Sequence, residues 1–388
     1  MMAKKDCVGI IGQGYVGSAL ASAVTSVGYK VVGYDNNKEL VNNLQSKKLE
    51  NYTATNDPSD LSECQIIVIA VPTPLKDNKL PDLSYLNLAV NLIAKHIPSP
   101  ILIINESTSY PGTLRNEIAA IIEKIQPIKH LYAAAPERVD PSNEYWNLKN
   151  TPRLISGLCE KATTQAFDFY STFTDDIKIV SSPEIAEAAK LFENTFRQVN
   201  ISLVNEFSKL TRLVDLDINE VLDAAETKPF GFLKFTPGAG VGGHCIPIDP
   251  LYLNYYAKIN NFEMKLITLA DEINSKMPQY IVSMVKKDYG DELKGKKILI
   301  VGLAYKANTS DIRESPSLPM IRLLRSEGAE VYWNDDLVKI WNAESSTKIK
   351  DQDIAIIVTR HSNLDLNELE RIPYVFDSTG KSVFVKKI

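Results

Sequence analysis

One cysteine lies in a segment whose composition is suited to chemistry. Cys245 stands in GAGVGGHCIPIDP, between a glycine-rich run and two prolines. Glycines let a bulky ligand approach the backbone and prolines stiffen the far side, so this thiol is more accessible than one in a core strand. Asp249 follows closely and could act as a base or orient a water. The segment is consistent with a nucleophilic thiol and, equally, with a structural thiol in a turn.

Two polar residues of a predicted helix, Lys190 and Asn194, are spaced i, i+4 within AEAAKLFENTF and so share one face. A lysine on a helix is most often a solvated surface residue. Its apolar neighbours here predict a packed face, so a buried functional ammonium is the second interpretation.

The first apolar strand runs into a G-x-G-x-x-G fingerprint, Gly12-Gln13-Gly14-Tyr15-Val16-Gly17. Such glycines allow a tight turn and close approach to a pyrophosphate at a helix N-terminus. The second strand ends at Asp35, which can accept hydrogen bonds from ribose hydroxyls and repels a 2′-phosphate. The pattern predicts NAD rather than NADP.

Polar groups also follow three later strands, in Val71-Pro72-Thr73-Pro74, Glu106-Ser107-Thr108 and Pro136-Glu137-Arg138. Each loop alone is typical of a turn or a helix cap. Because ligands bind at the carboxyl ends of strands in open α/β sheets, their shared position predicts one site.

The elements that position these residues follow a three-part pattern. Short apolar runs alternate with helical stretches in residues 1–180, which indicates a parallel sheet with crossover helices. A helical period from Ser181 to about Leu210, about 45 Å long if unbroken, predicts a central connector within 181–290. The strand and helix alternation returns in 291–388 without the glycine fingerprint.

Composition restricts partners and compartment. The 388 residues are 44% apolar and carry a formal net charge of −5, so neither a nucleic acid nor a membrane is an expected partner. The start lacks a signal-peptide pattern, which predicts a cytoplasmic protein. The four cysteines, Cys7, Cys64, Cys159 and Cys245, are far apart without C-x-x-C spacing, which predicts no disulfide framework and no metal site. Cys7 and Cys64, beside strands, are expected to be packed apolar side chains.

An ordered set of motifs resembles the UDP-glucose/GDP-mannose dehydrogenase family over nearly the whole chain. The set is GQGYVG, VPTP, ESTSYPGT, PERV, AKLFENTF, GGHCIPIDP and GLAYKANTSDIRESP. The resemblance implies an α/β fold with an N-terminal Rossmann domain, a central helical domain whose long connecting helix makes a homodimer, and a C-terminal Rossmann-like domain for the substrate nucleotide. It also implies NAD-dependent oxidation of the C6 alcohol of a nucleotide sugar to the uronate, as in polysaccharide biosynthesis.

The resemblance also implies roles for residues. Cys245 would capture the C6 aldehyde as a thiohemiacetal, which a second NAD oxidises to a thioester that water hydrolyses. Lys190 would stabilise oxyanions, Asn194 would position the reacting oxygen and Asp249 would handle protons and activate water. Thr108 and Glu137 would hold a catalytic water.

Further positions match residues of the family that bind ligands. The implied NAD contacts are Gly12, Gln13, Gly14, Tyr15, Val16, Asp35, Val71, Pro72, Thr73, Ser107, Thr108 and Arg313. The implied substrate contacts are Glu137, Arg138, Val139, Lys190, Asn194, Phe235, Gly238 and Lys306.

Ile248 bears on the identity of the sugar. UDP-glucose members commonly carry a lysine there, in C-[FL]-P-K-D, whereas TKPFGF and PGAGVGGHCIPIDPLYL resemble the UDP-N-acetylhexosamine branch. The expected order of substrates is UDP-N-acetylglucosamine or its galacto epimer, then UDP-N-acetylmannosamine, UDP-glucose and GDP-mannose.

Two rival hypotheses for the function are a two-electron hydroxyacid dehydrogenase that uses Lys190 and Asn194, and a non-catalytic sugar-nucleotide sensor.

Overall fold

The computed structural model describes residues 6–139, 143, 145–290 and 292–380, and the backbone of 386–387. Residues 1–5 of the predicted first domain and the predicted boundary residue 291 lie outside this description. The chain forms two compact units. One comprises the residues up to Glu193 with Leu251–Asn261, and the other comprises Asn194–Pro250 with the residues from Phe262 onward.

The first unit is built on a sheet in which the described residues form eight strands. These are β1 (Cys7–Ile11), β2 (Lys30–Tyr34), β3 (Tyr52–Thr55), β4 (Ile66–Ile69), β5 (Leu102–Asn105), β6 (Leu131–Ala134), β7 (Arg153–Gly157) and β8 (Ile177–Ile179). Their order is β3-β2-β1-β4-β5-β6-β7-β8, and only β6 and β7 pair antiparallel among these strands. The strand order reverses between β1 and β4, which is where such sheets bind dinucleotides.

Helices cover both faces of this sheet because its central strands are apolar on both sides. They are α1 (Tyr15–Ser26), α2 (Lys38–Ser46), α3 (Ser84–His96), α4 (Ala120–Ile125) and α5 (Glu160–Tyr170), with a 3₁₀ turn at Pro58–Glu63 and a π turn at Leu114–Ala119. Leu20 of α1 and Phe169 of α5 are buried in the core of one face. Ile93 of α3 and Ile122 of α4 are buried in the core of the other.

The middle of the chain is helical, as predicted. Its helices are α6 (Pro183–Leu213), α7 (Ile218–Glu226), α8 (Asp249–Ile259) and α9 (Lys265–Ser275). With 31 residues, α6 is about 46 Å long.

The second unit contains a parallel sheet of order β10-β9-β13-β14-β15 among the described residues. Its elements are β9 (Lys297–Val301), β10 (Glu330–Asn334), β11 (Ile340–Trp341), β12 (Glu344–Ser345), β13 (Ile354–Ile357), β14 (Tyr374–Asp377) and β15 (Lys386–Lys387), with helices α10 (Met277–Tyr289) and α11 (Ser317–Ser326) and a 3₁₀ turn at Leu366–Arg371. β11 and β12 pair antiparallel apart from this sheet. Ile281 of α10, Leu324 of α11 and Trp333 of β10 share one core.

The two sheets share a local feature at the ends of β1 and β9. Gly12 and Gly302 have φ of +94° and +87°. A Cβ on Gly12 would lie 2.5 Å from the carbonyl oxygen of Ala70, and a Cβ on Gly302 would lie 2.1 Å from that of Thr359. Both turns therefore require glycine, and the C-terminal sheet repeats the first turn of the N-terminal one.

The predicted fold class is confirmed. The short apolar runs of the two end regions form β1, β2, β4, β5 and β6, and β9, β10, β13 and β14. Short or less apolar strands such as β3, β7 and β8 were missed. The division near residues 180 and 290 stays a prediction. No helix in the described part of the chain is long and apolar enough to cross a membrane.

Candidate active site

The cysteine loop, defined here as residues 238–248, packs against the segment that follows β9. A Cβ on Gly242 would lie 2.6 Å from the Tyr305 side chain, and one on Gly243 would lie 2.7 Å from its ring. The Gly243 amide donates to the carbonyl oxygen of Arg313 at 2.8 Å. The contact with Tyr305 thus explains both glycines, and the approach of a ligand to their backbone stays a prediction.

Cys245 is exposed in this loop and forms no disulfide. Its carbonyl oxygen accepts hydrogen bonds from the amides of Ile248, at 3.2 Å, and Asp249, at 2.9 Å, which form a tight turn before α8. Ile248 is buried, so the side chain used to rank the sugars packs inward. The loop thus presents a thiol on a backbone that is fixed on both sides.

Asp249 and Asn194 form a polar pair next to this turn. Asp249 is the first residue of α8 and is fully buried. Its Oδ2 accepts a hydrogen bond from Nδ2 of Asn194 on α6 at 2.7 Å. A carboxylate at the start of a helix is also favoured by the helix dipole. The pair therefore ties the turn that carries Cys245 to the long helix.

A cation lies near the thiol. Arg313 forms hydrogen bonds with both carboxylate oxygens of Asp311, with Nη2–Oδ2 at 2.6 Å. The pKa of Arg313 is raised, first by hydrogen bonding to Asp311 and also by the nearby Tyr305 and Cys245. Arg313, predicted as a cofactor contact, is thus close enough to Cys245 for the two groups to interact electrostatically. Lys306, predicted as a substrate contact, is half-buried in the segment that follows β9.

Gly238 and Phe235, the two predicted substrate contacts shortly before Cys245, have different surroundings. Gly238 donates its amide to Oδ1 of the buried Asn205 at 2.9 Å, and a Cβ on Gly238 would meet nothing within 4 Å. Gly238 therefore borders open space. Phe235 is partly buried and packs against the cluster of Val204 and Ile218.

In the other unit, the turn after β1 fits a dinucleotide. A Cβ on Gly17 would lie 1.8 Å from the carbonyl oxygen of Gly12, so α1 packs closely on the turn, whereas a Cβ on Gly14 would meet nothing within 4 Å. This open space lies at the N-terminus of α1, where backbone amides and the helix dipole favour a pyrophosphate. Tyr15 is exposed and Val16 half-buried at the first positions of α1.

Asp35 faces the same turn. Its Oδ2 accepts from the Gln13 amide at 2.8 Å and its Oδ1 from the Asn37 amide at 2.9 Å, which leaves a lone pair on each oxygen for ribose hydroxyls. The side chain of Gln13 points inward, where its Oε1 accepts from the Tyr52 hydroxyl at 2.7 Å. Only the backbone of Gln13 is therefore available to a cofactor.

Ser107 joins the loops that follow β4 and β5. Its Oγ accepts a hydrogen bond from the Val71 amide at 2.9 Å. Pro72 is exposed in the first loop, whereas Thr73 and Thr108 are buried. The structure thus brings these two predicted loops together at the carboxyl edge of the sheet, next to β1.

A buried ion pair, which sequence reasoning missed, lies behind these loops. Arg153 Nη1 donates to Glu106 Oε1 at 2.8 Å and to the Ala135 carbonyl oxygen at 3.2 Å. The Tyr170 hydroxyl donates to the same carboxylate oxygen at 2.5 Å. Burial raises the pKa of Glu106, while Arg153 and Tyr170 oppose this shift. One cation thereby links the loops after β5 and β6.

The loop after β6 carries three predicted substrate contacts. The Glu137 carboxylate accepts from the Val139 amide at 2.6 Å, and the Glu137 amide donates to the Glu106 carbonyl oxygen at 3.3 Å. Arg138 forms a two-point ion pair with Glu193 of α6, at 2.6 and 3.0 Å. Glu137 thus lies against the Thr108 loop, and the Arg138 guanidinium is held by α6.

Lys190 lies on the buried side of α6, with 8% of its surface exposed. The interpretation as a solvated surface lysine is therefore wrong. Its charge and that of Glu137 both act on the buried Glu106, so these ionisable groups are neighbours within the first unit.

Glu187, one turn before Lys190, was also missed. Its carboxylate accepts hydrogen bonds from the amides of Gly112, at 2.7 Å, and Leu114, at 2.9 Å, and from the Ser109 hydroxyl. Burial raises the pKa of Glu187 to about 7, although these hydrogen bonds lower it. The i, i+3 spacing to Lys190 on a packed helix face was the available signal.

The predicted residues thus fall into two groups, one in each unit. The first group surrounds a dinucleotide turn and adds a buried lysine and a carboxylate, Glu137, which both lie near Glu106. The second group sets an exposed thiol beside a guanidinium and next to a buried carboxylate. The first arrangement can bind a dinucleotide and stabilise charge, and the second can perform covalent catalysis through sulfur.

Comparison with protein families identifies all three parts of the chain. Residues 6–174 match the NAD binding domain, residues 184–276 the central domain and residues 299–382 the UDP binding domain of one family. The chain belongs to the UDP-glucose/GDP-mannose dehydrogenase family. It is an NAD-dependent UDP-sugar dehydrogenase, so the hypotheses of a non-catalytic sensor and of a hydroxyacid dehydrogenase are wrong.

The dehydrogenase resembles its relatives over nearly the whole chain. It is 34% identical to the UDP-N-acetyl-D-mannosamine dehydrogenase of Methanocaldococcus jannaschii, over 95% of this chain and 89% of that one. It is 33% identical to Protein CapL of Staphylococcus aureus, over 95% and 93% of the two chains. The solved structure of UDP-D-ManNAc dehydrogenase from Pyrococcus horikoshii matches with a TM-score of 0.89 and 30% identity, over 98% and 99% of the chains.

The pKa of Glu187 predicts a pH dependence of stability. The folded pKa of about 7 exceeds the ordinary glutamate value of 4.5, so the folded state binds the proton more tightly between these values. The free energy of unfolding is therefore expected to fall by about 2 kcal/mol from pH 5 to 7.5 through this group alone. Urea unfolding at both pH values should show this contribution in the wild type and its loss in Glu187→Gln.

Glu184→Gln is the matched control. Glu184 lies on the same helix. Burial raises the pKa of Glu184, but its hydrogen bond with Arg115 helps to bring this pKa below its ordinary value. Glu184 therefore causes no loss of unfolding free energy between pH 5 and 7.5. An equal pH slope in wild type and Glu187→Gln would contradict the assignment.

Proposed function

We propose that this dehydrogenase oxidises the C6 alcohol of UDP-N-acetyl-D-mannosamine to the uronate, with two NAD reduced per sugar. The substrate is supported by relatives that carry this name, with identities of 33–35% across several species. The motif around Ile248 favoured the N-acetylhexosamine branch but put UDP-N-acetylglucosamine or its epimer first. The relatives support the second choice instead.

The observation that carries the mechanism is the setting of Cys245. The thiol is exposed, and the guanidinium of Arg313 is near enough to interact with it. Such a thiolate adds to the C6 aldehyde to give a thiohemiacetal, and it leaves readily when water attacks the thioester that follows. NAD, when bound, accepts a hydride in each of the two oxidation steps.

The other residues then take distinct roles. Asn194 holds Asp249 beside the cysteine turn, and Asp249 moves protons and activates the hydrolytic water. Lys190, buried near Glu137, supplies the positive charge that stabilises developing oxyanions. Glu137 accepts a proton through a water held with Thr108.

A substrate panel tests the proposal. UDP-N-acetylmannosamine, UDP-N-acetylglucosamine, UDP-N-acetylgalactosamine, UDP-glucose and GDP-mannose are each incubated with NAD, and NADH is followed by absorbance. UDP-N-acetylmannosamine is expected to give the highest kcat/KM and two NADH per sugar. Cys245→Ser should lower the steady-state rate by about 100-fold or more, because the oxygen is a poorer nucleophile and leaving group.

Cys159→Ser serves as the control. Cys159 is also an exposed cysteine, and this variant is expected to retain full activity. A preference for UDP-glucose would refute the substrate alone. A yield of one NADH, or an unaffected Cys245→Ser, would refute the covalent mechanism.

We also infer that the enzyme is a homodimer that pairs through α6. Ile185, Phe192, Phe196, Leu203 and Leu210 are 44–63% exposed on that helix. Their spacing of seven and four residues puts them in one narrow stripe along its length. A continuous exposed apolar stripe of this kind marks a protein interface, and a two-fold axis lets the same stripe cover itself.

Leu203→Glu is expected to convert the dimer to a monomer, because it puts a charge in the middle of the stripe. Light scattering after gel filtration measures the mass. Leu88→Glu is the matched control, since Leu88 on α3 has the same 62% exposure as Leu203 but lies outside the stripe. A monomeric wild type, or a dimeric Leu203→Glu, would contradict the inference.

A further inference from the structure

The two cysteines nearest the N-terminal sheet lie in contact. The Sγ atoms of Cys7 and Cys64 are 3.2 Å apart, although the residues are 57 positions apart in the chain. The sequence predicted two separate packed thiols. Their proximity follows from the sheet order, which places β1 beside β4 and so brings distant segments together.

Hydrogen bonds of their backbone groups fix the positions of both residues. The Cys7 amide donates to Gln65 Oε1 at 2.8 Å, and the Gln65 amide donates to the Cys7 carbonyl oxygen at 3.0 Å. The Cys64 amide donates to the carbonyl oxygen of Leu61 at 3.0 Å. Neighbouring strands lie about 4.8 Å apart, which is within the Cα separation that a disulfide spans. A bond between these sulfurs therefore needs little backbone movement.

Gly9 provides the space for the buried sulfur. A Cβ on Gly9 would lie 3.3 Å from Cys64 Sγ and 2.8 Å from the Leu61 side chain. Cys7 and Gly9 are two positions apart on β1 and so lie on the same face of the sheet. The Cys64 thiol thus packs directly over β1 and beside Cys7.

The pair has one accessible and one buried member. Cys7 is half-buried and Cys64 is buried. The pKa of Cys7 is lowered, first by the hydrogen bond from the Cys64 thiol and also by the charge of Lys30, and burial opposes this. Cys7 is therefore the thiol that meets an oxidant, and Cys64 is the thiol that resolves the product.

We propose that Cys7 and Cys64 are a redox modification site, which a small-molecule disulfide such as glutathione disulfide converts to an intramolecular disulfide. The Cys7 thiolate attacks one glutathione sulfur and expels one glutathione thiolate. Cys64, after losing its proton, attacks the Cys7 sulfur of this mixed disulfide and expels the second glutathione. The protein loses two hydrogen atoms and two electrons, and the oxidant is reduced to two glutathione molecules.

The position of the site determines its effect. The pair lies at the amino ends of β1 and β4, whereas Gly12 and Val71 follow the carboxyl ends of these strands. The bond would close a long loop and so restrict the unfolded chain. It therefore stabilises the N-terminal sheet and leaves the dinucleotide turn unchanged.

The test uses the full chain with Cys159→Ser and Cys245→Ser, two exposed positions, so that only this pair of the four cysteines remains. The protein is incubated with excess glutathione disulfide, quenched with acid, unfolded, alkylated and weighed by mass spectrometry. The expected product has lost two hydrogen atoms, carries no alkyl group and no glutathione, and melts about 5 °C higher until dithiothreitol is added.

Two outcomes would overturn the proposal. One is alkylation of both cysteines, and the other is a glutathione that stays on Cys7 unresolved. Adding Cys7→Ser to the same background is the matched control, and its melting temperature should not respond to the oxidant. In a chain that keeps Cys245, Cys7→Ser should retain the wild-type rate of NADH formation, since Cys7 lies outside the proposed catalytic groups.

Discussion

The hydrogen bond between Asn194 and Asp249 is the constraint on which the arrangement of the cysteine loop depends. It joins the long helix α6 to the start of α8 at 2.7 Å, and the amide of Asp249 in turn closes the tight turn on the Cys245 carbonyl oxygen. Tyr305 and the Arg313 backbone hold the other side of the loop. A reactive thiol on a flexible loop would sample many positions, whereas here both flanks are anchored to packed elements. Such anchoring is what covalent catalysis requires, because the nucleophile must meet its target in a fixed orientation.

The cofactor-binding unit also holds its polar loops in fixed positions, but it does so with buried charges. Its polar loops are held from behind by the buried Arg153, which contacts Glu106 and the backbone of Ala135, while Glu187 fixes the chain between Gly112 and Leu114. Removing one partner of a buried ion pair costs several kcal/mol, so this network is coupled to folding as well as to function. These buried charges thus hold the loops that carry the proposed catalytic groups.

Much of this organisation could be predicted from the sequence, and what could not has a physical reason. Apolar runs identified the central strands, since buried parallel strands are apolar on both faces, but β3 and β8 have few buried residues and left no such signal. The G-x-G-x-x-G run and Asp35 were local in sequence and so were found.

The partners Arg153, Tyr170 and Tyr305 lie far along the chain from the groups they contact, and only the fold brings them together. The same holds for Cys7 and Cys64. The glycines next to Cys245 did not indicate the contact with Tyr305, because a close approach to a side chain and one to a ligand require the same residue.

The central claim is that Cys245 carries the substrate as a thioester. Asp249→Asn, which keeps an oxygen that can accept from Asn194 but removes the carboxylate that activates water, tests it most directly. The variant is mixed with UDP-N-acetylmannosamine and NAD, quenched in acid within the first turnover, digested and analysed by mass spectrometry. The proposed mechanism predicts a UDP-uronyl adduct on the peptide that contains Cys245, with one adduct for every two NADH formed. NADH formed without any adduct, or an adduct on another residue, would contradict it.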